Sequence, residues 1–360
     1  PEHLLTTAPD PLILGADIVI ELLGGIEPAR TYILQALNSG SDVITANKAL
    51  LASSGAELYD AAEQVGAQLY FEAAVAAAIP IIRPLRESLA GDSVKRIMGI
   101  VNGSTNYILD RMNSTGCSLK EAIAEADLLS YLEADPTLDL EGYDAAQKAA
   151  ILASLAFHTE VPIERVYREG ITSITKEQVA AAKRDGYAIK LLAICEKISA
   201  EGEDPEGISV RVYPAMIPNE HPLASVHGAF NAVFVEAEAA GSLMFYGSGA
   251  GGLQTASAVM GDLVSAAKRH IAGGPGLADS VHANLPVLPG VLANIANIFA
   301  QHNVSIEMVE QSSRMIQAES TAWLEIGTHM ATDQSLAEVV EALKSNPAVE
   351  QVTSVIRVEG

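Results

Sequence analysis

The sequence predicts an α/β protein in three parts. A partial parallel sheet of doubly wound type comes first, a mixed α+β domain follows, and a small βαββαβ unit closes the chain. Three observations predict this. Apolar strand-like runs alternate with helical runs over residues 16–74, at the spacing of βαβ units. From about residue 79 the alternation gives way to helices followed by strand runs that neighbour one another in sequence. Gly273-Gly274-Pro275-Gly276 then reads as a linker, and a shorter set of elements begins beyond it. The domains expected are therefore 1–78, 79–272, a linker at 273–286, and 287–360, with the helix at 253–272 packing back on the first sheet.

Ala16 to Leu23 reads as a buried strand that ends in Gly24-Gly25. A helix runs from about Pro28, a residue suited to a first helical turn, to Asn38. Asp42 to Ala46 is a second strand ending at Asn47-Lys48. Ser54-Gly55-Ala56-Glu57 has the form of a capping box and opens a helix to about Val65, and Gln68 to Ala74 is a third strand. In such sheets ligands bind outside the carboxyl ends of the strands, where Gly24, Gly25, Lys48 and Glu72 fall. The GxGxxG loop that normally opens a dinucleotide-binding fold does not occur in residues 1–75. Gly247 to Gly252 is glycine-rich, but its spacing differs and an ordinary turn explains it as well.

In the middle domain Pro80 starts a helix to about Leu89, and Val94 to Val101 is a strand ending in a turn at Asn102-Gly103. Thr105 to Met112 is helical, and Ser118 to Glu121 is a second capping box. Strands are expected near 189–198, 208–217, 232–237 and 242–246, helices near 176–184 and 256–271, and a hairpin loop at Gly202 to Gly207. In the last unit, helices start at Pro289 and Ser335, and strands cover 304–309, 322–326 and 352–358. Only Ala283 to Leu288 precedes Pro289 as material for a first strand.

Composition excludes several classes of function. Lys plus Arg number 22 against 45 for Asp plus Glu, a net charge of −23, which argues against nucleic acid and anionic membrane as partners. Two cysteines without a CxxC argue against a disulfide framework or cysteine–zinc site and fit a reducing cytoplasm. The 8 histidines show no HxH or HExxH spacing, and no apolar run reaches the ~18 residues of a membrane span.

The chemistry concentrates in Tyr131 to Lys148, where Glu133, Asp135, Asp139, Glu141, Asp144 and Lys148 crowd between two helical runs. Asp144 and Lys148 are four apart and share a helix face. That face continues through Ile151 and Leu155, residues that want burial. Solvated charges normally sit opposite the apolar stripe. The pair therefore reads as the floor of a polar pocket, beside the plainer reading of an exposed helix ion pair. A buried ammonium there could stabilise negative charge on an oxygen and deliver a proton to it.

This stretch resembles the signature of homoserine dehydrogenase. Further blocks agree in order: Gly24 to Pro28, Thr45 to Lys48, Phe71 to Val75, Val101 to Tyr107, Gly249 to Gly251 and Thr255 to Val259. Pro289 to Leu292 and Asn303 to Ile306 resemble the C-terminal ACT domain of the actinobacterial form. The resemblance implies a Rossmann-type cofactor domain and NAD(P)H-dependent reduction of L-aspartate-4-semialdehyde to L-homoserine, in threonine and methionine biosynthesis. It assigns proton donation to Lys148, substrate contacts to Glu133, Asp139, Asp144 and Lys48, and cofactor contacts to Gly24, Gly25, Thr45, Lys48, Ser130 and Gly249. It also implies a sodium site of Glu72 and the carbonyls of Val75, Ala77 and Ile79, a threonine effector, and a homodimer or homotetramer. The chain departs from the family where Ser130, and Ala77 or Ala78, stand for glycine and where Gln254 stands for proline. An alanine is strained there if the site needs φ > 0. A second reading, motivated by the absent glycine loop, is a catalytically silent fragment that retains dimerisation and effector binding.

Overall fold

A computed structural model describes residues 5–132, 135–198, 207–272, 298–302, 304–316, 319–328, 333–346, 349 and 352. Backbone contacts divide the chain into two units, Pro1–Ala278 and Asp279–Gly360.

The first unit opens with helix α1 (Pro9–Leu14) and three parallel strands in the order β1 (Ile18–Glu21), β2 (Asp42–Thr45), β3 (Leu69–Tyr70). Helices α2 (Ala29–Asn38) and α3 (Lys48–Val65) make the crossovers. The sequence placed the opening of α3 at Ser54. Asn47 opens it instead, its Oδ1 accepting from Leu50 N at 3.2 Å. Ser54 marks a kink inside the helix, with φ −140° and ψ 16°. The Glu57 carboxylate that would close a box at Ser54 accepts from Arg30 Nε at 2.8 Å. The third strand is also shorter than expected. Glu72 N donates to Asp262 Oδ2 at 2.9 Å rather than to a neighbouring strand, and the chain turns into the short helix α4 (Ala73–Ala76). Residues beyond Pro80 form a helical segment with a wide turn at Pro84–Ser88.

A six-stranded sheet forms the rest of this unit. Its strands are β4 (Val94–Ile100), β5 (Tyr167–Arg168), β6 (Tyr187–Ile198), β7 (Gly207–Pro218), β8 (Phe230–Ala237) and β9 (Gly241–Ser248), in the order β5-β7-β6-β4-β8-β9. All neighbours are antiparallel except β5 and β7. Period-two alternation gives each strand two apolar faces. Ile97, Leu191, Ala193, Val233 and Val235 enter the main core beneath α5 (Gly103–Thr115) and α8 (Tyr143–Ala156), while Met98, Leu192, Ile194 and Phe234 form a second cluster with Leu223 and Val226. Helices α6 (Leu119–Leu128), α7 (Thr137–Leu140) and α9 (Lys176–Arg184) flank them. The Ser118–Glu121 capping box is present in both directions. The sequence reading missed β5 and α7, each too short to show a period.

Helix α10 (Gly252–Ala272) packs back on the parallel sheet, where Ala258, Val259 and Ala266 meet Ile44 and Ala73. Two buried carboxylates pin it. Arg269 Nη1 donates to both oxygens of Asp42, at 2.8 and 3.1 Å, and Asp262 accepts from Glu72 N and from Arg83. Among the described residues no helix is long and apolar enough to cross a membrane.

In the second unit β10 (Ile306–Ile316) and β11 (Glu319–Thr328) are antiparallel, and α11 (Asp333–Lys344) follows. Val339 shares a small core with Phe299 and Val304. The expected linker at 273–286, the first strand at 283–288, the start of the helix at Pro289, the strand at 353–358 and the hairpin loop at 202–206 lie outside the described residues.

Removing the buried Asp262 carboxylate strands Glu72 N and the Arg83 guanidinium. Asp262→Ala should cost about 2–4 kcal/mol in urea-unfolding stability. The exposed control Glu57→Ala should cost about 1 kcal/mol or less. Equal effects would refute the anchoring role of Asp262.

Candidate active site

Helix α8 carries the charged pair on a buried face. Asp144 and Lys148 are each 8% exposed, and Lys148 Nζ donates to Asp144 Oδ2 at 2.8 Å and to Val101 O at 2.7 Å. An ammonium has three donors, so one remains for a ligand. Lys48, in the first turn of α3, brings its Nζ to 3.3 Å from Asp144 Oδ1. The Asp144 carboxylate thus lies between two ammoniums supplied by different parts of the unit.

Asn102 completes this arrangement, and the sequence reading passed over it as a turn residue. It caps α5, accepting from Thr105 N at 2.9 Å, while its Nδ2 donates to Asp139 Oδ1 at 2.7 Å and to Asp144 Oδ2 at 3.0 Å. The available signal was an Asn directly before Gly-Ser-Thr at a helix start, which marks an N-cap. Nothing in that local signal points to the two aspartates. Burial alone would push the Asp144 carboxyl upward, but Lys148, Lys48 and the Asn102 hydrogen bond outweigh it and hold the group at about 2. Asp144 is therefore a fixed anion. Ser104 Oγ donates to Tyr131 O at 2.5 Å, and the Tyr131 ring lies 4.9 Å from that of Tyr107, so the chain entering Glu133 is held against α5. Glu133 itself lies outside the described residues.

The cofactor candidates gather at the strand ends. Gly24 and Gly25 have φ of +75° and +73°, a conformation that favours glycine and leaves the backbone uncovered there. Asn47 Nδ2 donates to Gly25 O at 2.7 Å, joining this loop to the start of α3. Thr45, expected as a cofactor contact, lies beneath the loops with its side chain engaged. It is fully buried, and its hydroxyl donates to Glu21 Oε2 at 2.7 Å and accepts from Asn47 N at 3.0 Å. Its side chain latches the two loops together and has no face left for a ligand. Ser130 is exposed at φ +58° on the turn that follows α6, and Gly249 lies in the loop that leads into α10. A cleft of about 600 Å³ lined by Tyr59, Phe71, Arg86, Leu155 and His158 lies elsewhere and includes none of these residues.

Glu72, expected in a sodium site, has its carboxylate held by backbone donors. Glu72 Oε1 accepts from the backbone N–H groups of Ile81 and Ile82, both at 2.7 Å, and Oε2 from that of Arg83 at 3.0 Å. Both carboxylate oxygens are thus engaged by backbone N–H groups. Burial, together with nearby Asp262, raises the Glu72 pKa against these three hydrogen bonds. Of the proposed ligands, the carbonyls of Val75, Ala77 and Ile79 stay compatible with a hard cation. Ala77 adopts φ +47° and ψ −109°. Ser130, and of the two alanines named for the other glycine position Ala77, thus adopt a backbone that disfavours a side chain by roughly 1 kcal/mol or more. Among the described residues no cluster of three or more His, Cys, Asp or Glu could hold a metal ion.

Residues 80–264 match the family model for homoserine dehydrogenase, residues 1–72 that for its NAD-binding domain, and residues 288–348 the ACT domain. The homoserine dehydrogenase of Mycobacterium tuberculosis H37Rv is 52% identical over 382 residues, covering 100% of this chain and 86% of the relative. That of Corynebacterium glutamicum is 51% identical, covering 95% and 80%. Among solved structures, a homoserine dehydrogenase from Thiobacillus denitrificans gives a TM-score of 0.71 at 38% identity, covering 96% of this chain and 83% of that one. A hyperthermophilic archaeal homoserine dehydrogenase mutant in complex with NADPH gives 0.63 at 32% identity, covering 74% and 76%. A buried lysine–aspartate pair answered by a second lysine, on a fold with these matches along its length, places the chain in the homoserine dehydrogenase family of NAD(P)-dependent oxidoreductases.

Proposed function

We propose that Lys148 is the proton donor in the reduction of aspartate-4-semialdehyde to homoserine, with Asp144 orienting it and Lys48 opposite. The observation that carries this reading is the buried Asp144 carboxylate shared by both ammoniums. When bound, NAD(P)H supplies the hydride. As negative charge develops on the aldehyde oxygen, the remaining Lys148 N–H stabilises it and passes its proton to it. Asp144 stays charged throughout and keeps Lys148 aimed. Asp139 and Glu133 pair with the substrate ammonium, and Lys48 faces the substrate carboxylate or the reacting oxygen. Asn102 keeps Asp139 and Asp144 at one spacing.

The cofactor backbone contacts are Gly24, Gly25, Ser130 and Gly249, and Lys48 adjoins the nicotinamide. The cofactor is NADP or NAD; an NADPH complex of the archaeal relative supports a nicotinamide cofactor. A sodium ion takes the carbonyls of Val75, Ala77 and Ile79. The ACT segment binds threonine as a feedback inhibitor. The exposed, stacked rings of Phe230 and Tyr246 on strands β8 and β9 support contact with a second copy in a homodimer or homotetramer. The free cysteines Cys117 and Cys195 fit a cytoplasmic setting.

Three outcomes follow. Lys148→Ala should lower kcat by about 10²–10⁴ while far-UV circular dichroism stays native, and near-normal turnover would remove Lys148 from the donor role. Asp144 has a depressed pKa, so its stabilisation is complete above the unfolded value of 3.8 and is lost as pH falls towards about 2. The shift is worth about 2 kcal/mol. Urea titrations of the native chain and Asp144→Asn should therefore converge between pH 4 and pH 2, and a pH-independent gap would contradict the fixed anion. Deletion of residues 287–360 should abolish inhibition by threonine and spare basal turnover; inhibition that persists places the effector site elsewhere.

A further inference from the structure

Asn231, near the start of β8, is 1% exposed and carries two of the three buried side-chain polar atoms that lack a hydrogen-bond partner among the described residues. Its Nδ2 and its Oδ1 are both unsatisfied. Buried amides are normally paired, and each exception needs a physical reason.

Its surroundings restrict what that reason can be. The backbone beneath Asn231 is rigid. Asn106 Nδ2 lies within 3.2 Å of Val226 O, 2.9 Å of Gly228 O and 3.1 Å of Phe230 O, and buried Lys190 donates to Asn106 Oδ1 at 3.0 Å. Two glycines lie against the amide. A Cβ on Gly249 would fall 1.8 Å from Asn231 Nδ2, and a Cβ on Gly103 would fall 3.3 Å from Asn231 Oδ1 and 2.6 Å from Ala229 O. Gly103 is the first residue of α5, next to Asn102, which holds Asp139 and Asp144. Beyond Gly249, Gly251 adopts φ +120°, and the β8–β9 pairing has already ended at Phe230 and Ser248. Gly249 therefore packs directly against a buried amide that has no hydrogen-bond partner among the described residues.

We infer that Asn231 is a positioning residue for the cofactor: its side-chain amide pairs with the backbone of the Ser248–Gly251 loop in the conformation that receives NAD(P)H. Its amide has no hydrogen-bond partner among the described residues, and a turn of one peptide of that loop towards it would supply one. Gly249 has to be glycine because Asn231 occupies the space of its Cβ. The inference deepens the reading of Gly249 as a cofactor contact and rests on it.

The expected signature opposes that of a structural amide. Removing a satisfied buried amide destabilises a fold, whereas removing an unsatisfied one relieves a desolvation cost. Asn231→Ala and Asn231→Val, made in the full chain, should keep or raise the urea midpoint of the cofactor-free protein. They should raise the Kd for NADPH, read by fluorescence titration, tenfold or more. The value of kcat at saturating NADPH should fall less than threefold. A lowered urea midpoint in both variants overturns the inference, and so does an NADPH Kd within twofold of the native value in both. Gly249→Ala separates the two levels. If it weakens NADPH while the Asn231 variants do not, the Asn231 inference alone fails. If it too leaves NADPH affinity unchanged, the reading of Gly249 fails and takes the inference with it.

Discussion

The site depends on one buried anion. Removing the Asp144 carboxylate from water costs several kcal/mol unless it is paired and hydrogen-bonded. Three separate elements supply that compensation: Lys148 from one turn along α8, Lys48 from the end of the parallel sheet, and Asn102 from the start of α5. Its place in the first turn of α8 adds the favourable end of the helix dipole. Because no single element satisfies the carboxylate, the arrangement of α3, α5 and α8 is tied to it. The geometry proposed for proton delivery is then the geometry that makes Asp144 tolerable.

The same device recurs away from the chemistry. Asp42, Glu72 and Asp262 are all buried; Asp42 and Asp262 join segments far apart in sequence, and Glu72 staples the segment that follows it. Asp42 holds Arg269 and Gln68 N; Asp262 holds Arg83 and Glu72 N; Glu72 holds three successive amides. In a chain with net charge −23, an acidic side chain at a strand end is therefore a poor sign of a ligand by itself. Glu72 shows why. Its neighbours are donors rather than open space, and only the geometry separates a backbone staple from a cation site.

Interactions local in sequence were legible. The 144/148 spacing, continued by Ile151, pointed to a buried pair because one helix turn contains the whole pattern. The Ser118–Glu121 box held for the same reason. The Ser54 box did not, because Asn47 had already opened the helix and Arg30, remote in sequence, took the Glu57 carboxylate. Thr45 read as a strand-end contact, but its hydroxyl was consumed by Glu21, 24 residues away. Asn102 looked like a turn residue, since the aspartates it holds lie 37 and 42 residues downstream. Asn231 sits inside an ordinary strand pattern. For Glu57, Thr45 and Asn102 the deciding partner comes from a distant segment, which periodicity and capping rules do not report.

The two lysines around Asp144 are not equivalent, and the difference fits the parts proposed for them. Lys148 is buried and fixed by two hydrogen bonds, one to a backbone carbonyl, so its remaining donor direction is set by the fold. Lys48 has a side chain 41% exposed and holds Asp144 by a single longer contact at 3.3 Å. An exposed ion pair contributes about 1 kcal/mol or less, so Lys48 can leave Asp144 for a ligand carboxylate at little cost. Lys148 cannot leave, because a buried charge would then stand unpaired on each side. Proton delivery needs an invariant direction, whereas recognition of a mobile substrate needs a group that can exchange partners. The wiring of the cofactor side agrees with this division. Asn47, which precedes Lys48, bonds to Gly25 O and is held by Thr45, so the flexible lysine starts from a backbone fixed to the nucleotide-side loops.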